Sequence, residues 1–301
     1  MDYKKILKSR KLRIKIMQFL SFIPDELMVK LQYRIKTGRK LNLTNPKRFT
    51  EKLQWYKLKY RDPLMAKCVD KYDVREYVES CGLANILVDM YGIYENPLQI
   101  DFRKLPDSFV LKDTLGGGGN AVVIVPDKTL LDEKAVRAQM TEWVEEPNDK
   151  KHPGREWTYD GKKHRIIIEK YIESKAEEGG LIDYKFFCFN GKVKYLYVIA
   201  DRDVGKKAGL GIYDATFTKI NAHRVDEEPL LRKIEKPGNY DEMVTIAEKL
   251  ASPFLQARID LYNVNQQILF SEITFFDGSG YMTFEPDEFD YTLGEVFNLS
   301  K

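Results

Sequence analysis

Apolar residues recur along this chain with two periods, and the switch between them divides it into a helical front and a strand-rich remainder. After the break at Leu41-Asn-Leu-Thr-Asn-Pro46, the positions Phe49, Leu53, Trp55, Tyr56 and Leu58 follow a helical spacing. Thr44 or Asn45 before Pro46 predicts the start of that helix, and Arg61-Asp62-Pro63 its end. A second helix is predicted over 65–80, stopped by Cys81-Gly82. Strands are expected over 88–94 and over 165–172, and another helix over 131–144. The second half carries strand patterns over 184–189, 193–200, 211–219, 256–262 and 267–276, interrupted by a helix over 241–251. The polar stretch 148–163, with Pro153, Gly154 and Gly161, reads as a long loop or lid. The expected fold class is α+β: a helical segment over 1–64, a linking subdomain over 65–108, a small lobe of two to four strands over 109–168, and a larger antiparallel lobe over 169–301.

The most informative interruption is Phe109-Val-Leu-Lys112, followed by Gly116-Gly117-Gly118-Gly119 and then by Ala121-Val-Val-Ile-Val125. Two apolar runs flanking four glycines predict a hairpin with a flexible tip. Glycines let backbone N–H groups approach a ligand closely, and a lysine beside them supplies fixed positive charge, which suits a polyphosphate. The spacing fits neither the P-loop nor the dinucleotide-binding fingerprint. A turn without a ligand is the alternative.

Farther on, Arg258-Ile-Asp260-Leu-Tyr262 and Phe270-Ser-Glu272-Ile-Thr274 alternate as strands around a polar turn, 263–266. Alternation places Arg258, Asp260 and Tyr262 on one face, and Glu272 and Thr274 on one face of the second strand. Paired as a hairpin, Asp260 and Glu272 meet on the same side. They are either ligands of a hard cation such as Mg²⁺ or a solvated pair neutralised by Arg258.

Charge and cysteines narrow the class. The formal net charge of +3 is too small for a general nucleic-acid binder, and 43% hydrophobic residues suit a globular protein. Three scattered cysteines, Cys68, Cys81 and Cys188, suit a reduced cytoplasmic setting rather than a disulfide framework. Seven Lys or Arg and no acid lie between Tyr3 and Pro24. That segment is too interrupted to span a bilayer. It is either a basic helix in peripheral contact with the inner membrane face through residues 3–23, or a helix docked on the main domain.

In order along the chain stand Asn45-Pro46 with Phe49-x-Glu51-Lys52-Leu-Gln-Trp55, Asp70-Lys71-Tyr-x-Val-Arg75, Lys112 with the glycine loop, Glu169-Lys-Tyr, Asp183-Tyr-Lys185-Phe-Phe-Cys-Phe-x-Gly191, and Arg258-x-Asp260-Leu-Tyr262 with Glu272-x-Thr274. From about Leu41 to Pro286 this succession resembles the TupA-like branch of the ATP-grasp superfamily, found among polysaccharide and teichuronopeptide biosynthesis genes. The resemblance implies an ATP-grasp fold, two α+β lobes gripping ATP, with the basic helical extension added at the N-terminus. It implies that Lys71 and Lys112 hold ATP phosphates beneath a flap of Gly116, Gly117, Gly118 and Gly119. Glu169, Lys170, Tyr171 and Ile172 would form the linker along the adenine, Asp183 would take the ribose hydroxyls, and Asp260 and Glu272 would ligate Mg²⁺. Lys185, Arg202 and Arg258 are the candidates for catalysis and for holding the acceptor carboxylate or transferring phosphate. Thr274 departs from the asparagine usual two residues after that glutamate, which puts its ligand role in doubt. The implied reaction joins an amine or amino acid to the carboxylate of a uronic-acid sugar or polysaccharide precursor, through an acyl phosphate. Alternatives are a sugar kinase of the same fold, a glycosyltransferase using Asp201-Arg-Asp203, and a non-catalytic nucleotide- or glycan-binding scaffold. His152, His164 and His223 are expected on the surface or in loops.

Overall fold

The computed structural model describes residues 16–17, 19–117, 121–145, 151–173, 180–201 and 208–299. Gly118, Gly119, Arg202 and Asp203 lie outside the described residues, as does most of the basic N-terminal segment.

The front is helical. α1 (Asp25–Thr37) opens with two acids in its first turn and closes on Gly38, whose φ of 73° takes the left-handed conformation that glycine adopts readily. α2 (Phe49–Lys59) starts later than Thr44 or Asn45. The Asn42 side chain accepts from the backbone N–H groups of Thr44 and Asn45, and the Glu51 carboxylate collects those of Asn42, Lys47 and Arg48. Side-chain acceptors therefore hold 42–48 as an irregular turn, and the helix begins only at Phe49.

The single helix expected over 65–80 is two, α3 (Pro63–Cys68) and α4 (Val74–Ser80). Asp70 Oδ1 accepts from the N–H groups of Tyr72 (2.8 Å) and Asp73 (3.0 Å), while Lys71 N–H donates to the carbonyl of Thr114 (2.9 Å). Those groups would otherwise bond within a helix, so the break is enforced by a side chain and by a distant loop.

A four-stranded sheet follows, in the order β1 (Met90–Tyr94), β4 (Ile166–Lys170), β2 (Phe109–Asp113), β3 (Val122–Val125). β2 and β3 form the antiparallel hairpin expected around the glycines. α5 (Glu133–Val144), N-capped by Asp132 and so beginning two residues later than expected, covers this sheet. Phe102, Phe109, Leu111, Met140, Trp143, Ile166 and Ile168 make its core.

The larger sheet has six strands. Their order is β11 (Gln267–Thr274), β10 (Gln256–Val264), β5 (Asp183–Phe189), β6 (Lys192–Ala200), β7 (Gly209–Asp214) and β9 (Glu228–Pro229). All neighbours are antiparallel except β7 and β9. β7 ends at Asp214 rather than continuing to 219, because the Asp214 carboxylate accepts from the N–H groups of Thr216 and Thr218 and turns the chain. A short pair of β8 (His223–Arg224) and β12 (Phe284–Glu285) flanks the sheet. α6 (Tyr240–Ala251) lies across β5, β6 and β10.

α7 (Glu288–Val296), which the sequence pattern did not single out, returns to the front and packs on α2. Asp290 accepts from the backbone N–H (3.0 Å) and hydroxyl (2.8 Å) of Thr50, and Lys52 Nζ donates to the carbonyls of Gly294 and Phe297. The Phe49 ring sits among Phe187, Phe189 and Phe297, with centroids 5.8 to 6.2 Å away. The front helices are thus built into the core of the large sheet. Their approach is close enough that a Cβ on Gly294 would stand 2.0 Å from the carbonyl oxygen of Lys47. Gly294→Ala should cost about 1–3 kcal/mol of stability by forcing α7 off the turn that leads into α2. Urea unfolding measures it, and an unchanged midpoint would show that the two helices part freely.

Candidate active site

The site forms where β10 and β11 change register. From Val264↔Gln267 back to Leu261↔Phe270 the pairing is regular, and then Asp260 stands opposite Glu272, which leaves Ser271 as an extra residue in β11. Without that bulge Glu272 would pair with Ile259 and point into the core. With it, Glu272 joins Asp260 and Arg258 on the cleft face, while Ile259 and Ile273 fill the core. The sequence carries the signal for this bulge: the buried residues of β11 switch from even positions (Ile268, Phe270) to an odd one (Ile273).

Arg258 is the hub. Its Nε and Nη2 donate to Asp260 at 2.7 Å each, Nη2 also reaches Glu272 (3.1 Å) and the Thr274 hydroxyl (3.0 Å), and Nη1 pairs with Asp277. Lys185, opposite Asp260 on β5, pairs with Asp260 and with Asp183 at 2.8 Å. Burial pushes the Asp260 carboxyl up, to about 7, against the pull of Arg258 and Lys185. Glu272 goes the other way. Burial would raise it, but the charges of Lys185, Lys71 and Arg258 hold it down at about 2. It is also the more open carboxylate, its side chain 32% exposed against 0% for Asp260.

The small sheet supplies the opposite wall. Lys112 Nζ donates to Glu169 at 2.6 Å, and Arg75 lies 3.6 Å from the same carboxylate. Lys112 is raised above its ordinary value: burial opposes the charge, but Glu169, Tyr262 and Glu272 outweigh it. Lys71 leaves the break between α3 and α4 to hydrogen-bond the carbonyl of Gly116. Two glycines of the loop are described, and they differ. A Cβ on Gly116 would stand 2.3 Å from that of Ala121, so the hairpin itself requires this glycine; Gly117 has open space around it.

Between the two sheets lies a cleft of about 630 Å³ lined by Lys71, Lys112, Gly116, Gly117, Asp183, Lys185, Arg258, Tyr262 and Glu272, among others. Most of the described residues expected at the site therefore converge on one cavity. The segment 169–172 does not line it. Glu169 reaches it only through Lys112; Lys170 is exposed beside Asp89 (3.2 Å), and Tyr171 and Ile172 follow β4 outside the lining. Asp201 pairs with Arg232 at 3.0 Å. Among the described residues, no group of three or more His, Cys, Asp or Glu side chains is placed to hold a metal ion. His164 lies, as expected, in a loop, the one before β4, half-buried with its Nδ1 2.8 Å from Asp113 at the base of the hairpin.

Sequence reasoning missed the far wall: Glu156, Tyr159, Tyr197, Arg224, Asp277 and Ser279. Arg224 donates to Asp226 and to Asp277, which places Asp277 between two arginines. The Tyr197 hydroxyl is buried with no hydrogen-bond partner among the described residues, an orphan donor against the cleft. No local pattern marks these residues, because tertiary contacts bring them together.

A small sheet with a glycine hairpin, facing a larger antiparallel sheet whose acids and lysines line the space between, is the ATP-grasp arrangement. The chain belongs to the TupA-like ATPgrasp family, which it matches over residues 51–298. Solved structures similar to it include a D-alanine–D-alanine ligase from Bacillus anthracis (19% identity over 70% of this chain and 59% of that one, TM-score 0.43). The same enzyme from Helicobacter pylori is 13% identical over 78% of this chain and 60% of that one, with a TM-score of 0.40. D-cycloserine synthetase DcsG is 14% identical over 78% and 72%, with a TM-score of 0.42. The chain spans about three fifths of the two D-alanine–D-alanine ligases. None of the curated proteins is matched by the chain.

The far wall is held from behind by a buried lysine of α2. Lys57 Nζ donates to the carbonyls of Gly154 (3.0 Å) and Ser279 (2.8 Å), and the Ser279 hydroxyl in turn donates to Glu156. Burial pushes Lys57 down to about 7, with Glu156 opposing. An unfolded lysine titrates near 10.5, so between about 7 and that value the unfolded chain binds a proton that the folded chain lacks. Stability from this group is therefore present at high pH and lost as pH falls through 7. Lys57→Met removes the slope: wild type should gain on the variant by up to about 1.4 kcal/mol per pH unit from pH 7 to about 9. Urea unfolding of both proteins across that window checks it, and a constant gap would refute it.

Proposed function

We propose that the chain is an ATP-dependent carboxylate–amine ligase, acting on a uronic-acid carboxylate of a bacterial surface polysaccharide or its precursor and joining to it an amine or amino acid. The observation that carries this reading is the convergence of Lys71, Lys112, Lys185 and Arg258 around the Asp260–Glu272 pair, in a cleft bounded by the glycine hairpin. The acceptor class rests on the family's association with polysaccharide genes.

Lys71 and Lys112 take the outer phosphates of ATP, and the glycine loop closes over them, so that water is kept from the activated carboxyl. Asp183 receives the ribose hydroxyls. Arg258, steadied by Asp260 and Asp277, presents a fixed charge that holds the substrate carboxylate and the transferring phosphoryl oxygens while a carboxylate oxygen attacks the γ-phosphorus and ADP departs. Lys185 neutralises the transferring phosphoryl group. Amine attack on the acyl phosphate then expels phosphate and leaves the amide. A nucleotide-borne Mg²⁺ requires only one or two protein carboxylates beside phosphates and water, and the donor set fits it. Glu272, ionised and open, is reached first; Asp260 stands behind it, its oxygens engaged by Lys185 and Arg258. That ion would neutralise phosphate charge. Three free cysteines suit a reducing compartment, so we place the reaction in the cytoplasm.

ATP turnover with Mg²⁺, against a panel of uronic acids with and without mixed amino acids, tests the reading. ADP and phosphate should appear only when both partners are present. Glu272→Gln and Lys112→Met should each lower kcat/KM by about 10²–10³ in protein that circular dichroism shows to be folded at the assay temperature. Chelation of Mg²⁺ should abolish turnover. ADP with a phosphorylated sugar and no free phosphate would make the protein a kinase, and failure to bind ATP would remove the ligase reading altogether.

A further inference from the structure

α1 is apolar on two faces. Met28, Val29, Gln32 and Tyr33 are buried against the rest of the fold. The opposite face carries Leu27, Leu31 and Ile35, which are 59%, 52% and 47% exposed, and Phe19 and Phe22 just before the helix are both 75% exposed. A spacing of four residues aligns the three aliphatic side chains in one stripe. Single exposed apolar residues are ordinary; five within seventeen positions, three of them aligned, are not.

Two acids stand beside this stripe, Asp25 and Glu26, and both are paired, Asp25 with Lys151 (2.7 Å) and Arg155 (3.2 Å). Lys30 and Arg34 share the exposed face with the leucines. Glu26 is neutralised by Lys30 at 2.6 Å, and among the described residues Arg34 donates to the carbonyl of Gly38. The sequence before it adds seven Lys or Arg without an acid between Tyr3 and Pro24.

We propose that the stripe Phe19, Phe22, Leu27, Leu31 and Ile35 docks the chain on an anionic lipid surface, with α1 lying in the plane of the interface. The charge pattern favours lipid over a protein partner. Lysines are depleted from the cores of protein interfaces, whereas beside a bilayer their stems cover apolar surface and their ammonium groups meet lipid phosphates. α1 has 13 residues, about 20 Å, and among the described residues no helix is long and apolar enough to cross a membrane, so the helix lies on the bilayer. The surface is independent of the chemistry in the cleft, since none of its residues lines that cavity.

Co-sedimentation of the full chain with vesicles of phosphatidylcholine alone, or mixed with phosphatidylserine, decides the matter. Binding is expected only to the mixed vesicles, and weaker at high salt. Leu31→Ser combined with Ile35→Ser should reduce it by at least about tenfold. Circular dichroism and thermal unfolding of that variant confirm that its fold is kept, and the single substitution Phe22→Ser should weaken binding in the same direction. No binding by wild type overturns the proposal, as does binding that the double substitution leaves unchanged. A wild-type dimer that the double substitution splits, without affinity for vesicles, would assign the stripe to a second copy of the chain instead.

Discussion

Arg258 brings a full positive charge into the floor of the cleft, and a buried guanidinium is tolerable only where carboxylates surround it. Asp260 beside it, Glu272 across the strand pair and Asp277 beyond the end of β11 supply them. Two of these acids are in turn tied elsewhere: Asp260 to Lys185 on β5, and Asp277 to Arg224 on β8. The cluster therefore fastens three neighbouring strands of the large sheet and the short flanking pair at one point. Removing one member would leave another charge buried and unpaired, at a cost of about 3–5 kcal/mol. The same network that could handle a phosphorylated substrate is thus a structural requirement of the floor.

The two sheets are joined by more than their facing walls. The turn between α3 and α4 is laced to the glycine hairpin through Lys71 and Thr114, so the lysine and the loop above it share a mechanical origin. On the far side, α1 and α2 reach behind the cleft. Gln32 donates to the carbonyl of Pro153, Gln54 to those of Ser279 and Gly280, and Lys57 to both segments. The helical front belongs to the site as a backing plate. Its own outer face carries the exposed stripe.

Legibility followed the range of the interactions. Apolar runs flanking the glycines exposed the hairpin of β2 and β3, and alternation along β10 and β11 exposed the second hairpin and the face shared by Arg258 and Asp260, because these patterns are written in the strands' own residues. The order of short motifs was enough to pick out Lys71, Lys112, Asp183, Lys185 and Glu272. The break at 69–73 was hidden, since it depends on the Asp70 side chain and on a carbonyl more than forty residues away, at Thr114. The late start of α2 was hidden for a like reason, in the carboxylate of Glu51. Glu156, Tyr159, Arg224 and Ser279 had no local mark at all, since packing between distant segments places them in the wall.

The bulge at Ser271 gives the site an unusual dependence on length. Whether Glu272 faces the cleft or the core is decided by the count of residues after Phe270 together with the bulge that absorbs one of them. Loss of the one codon for Ser271 would remove the bulge with it, and regular pairing would then set the carboxylate directly opposite Asp260. A substitution that straightened the strand while keeping Ser271 would instead put Glu272 in phase with Ile259 and dismantle the charge cluster. In the evolutionary drift of such a chain, Ser271 and its bulge can be lost together, but the bulge cannot be lost alone.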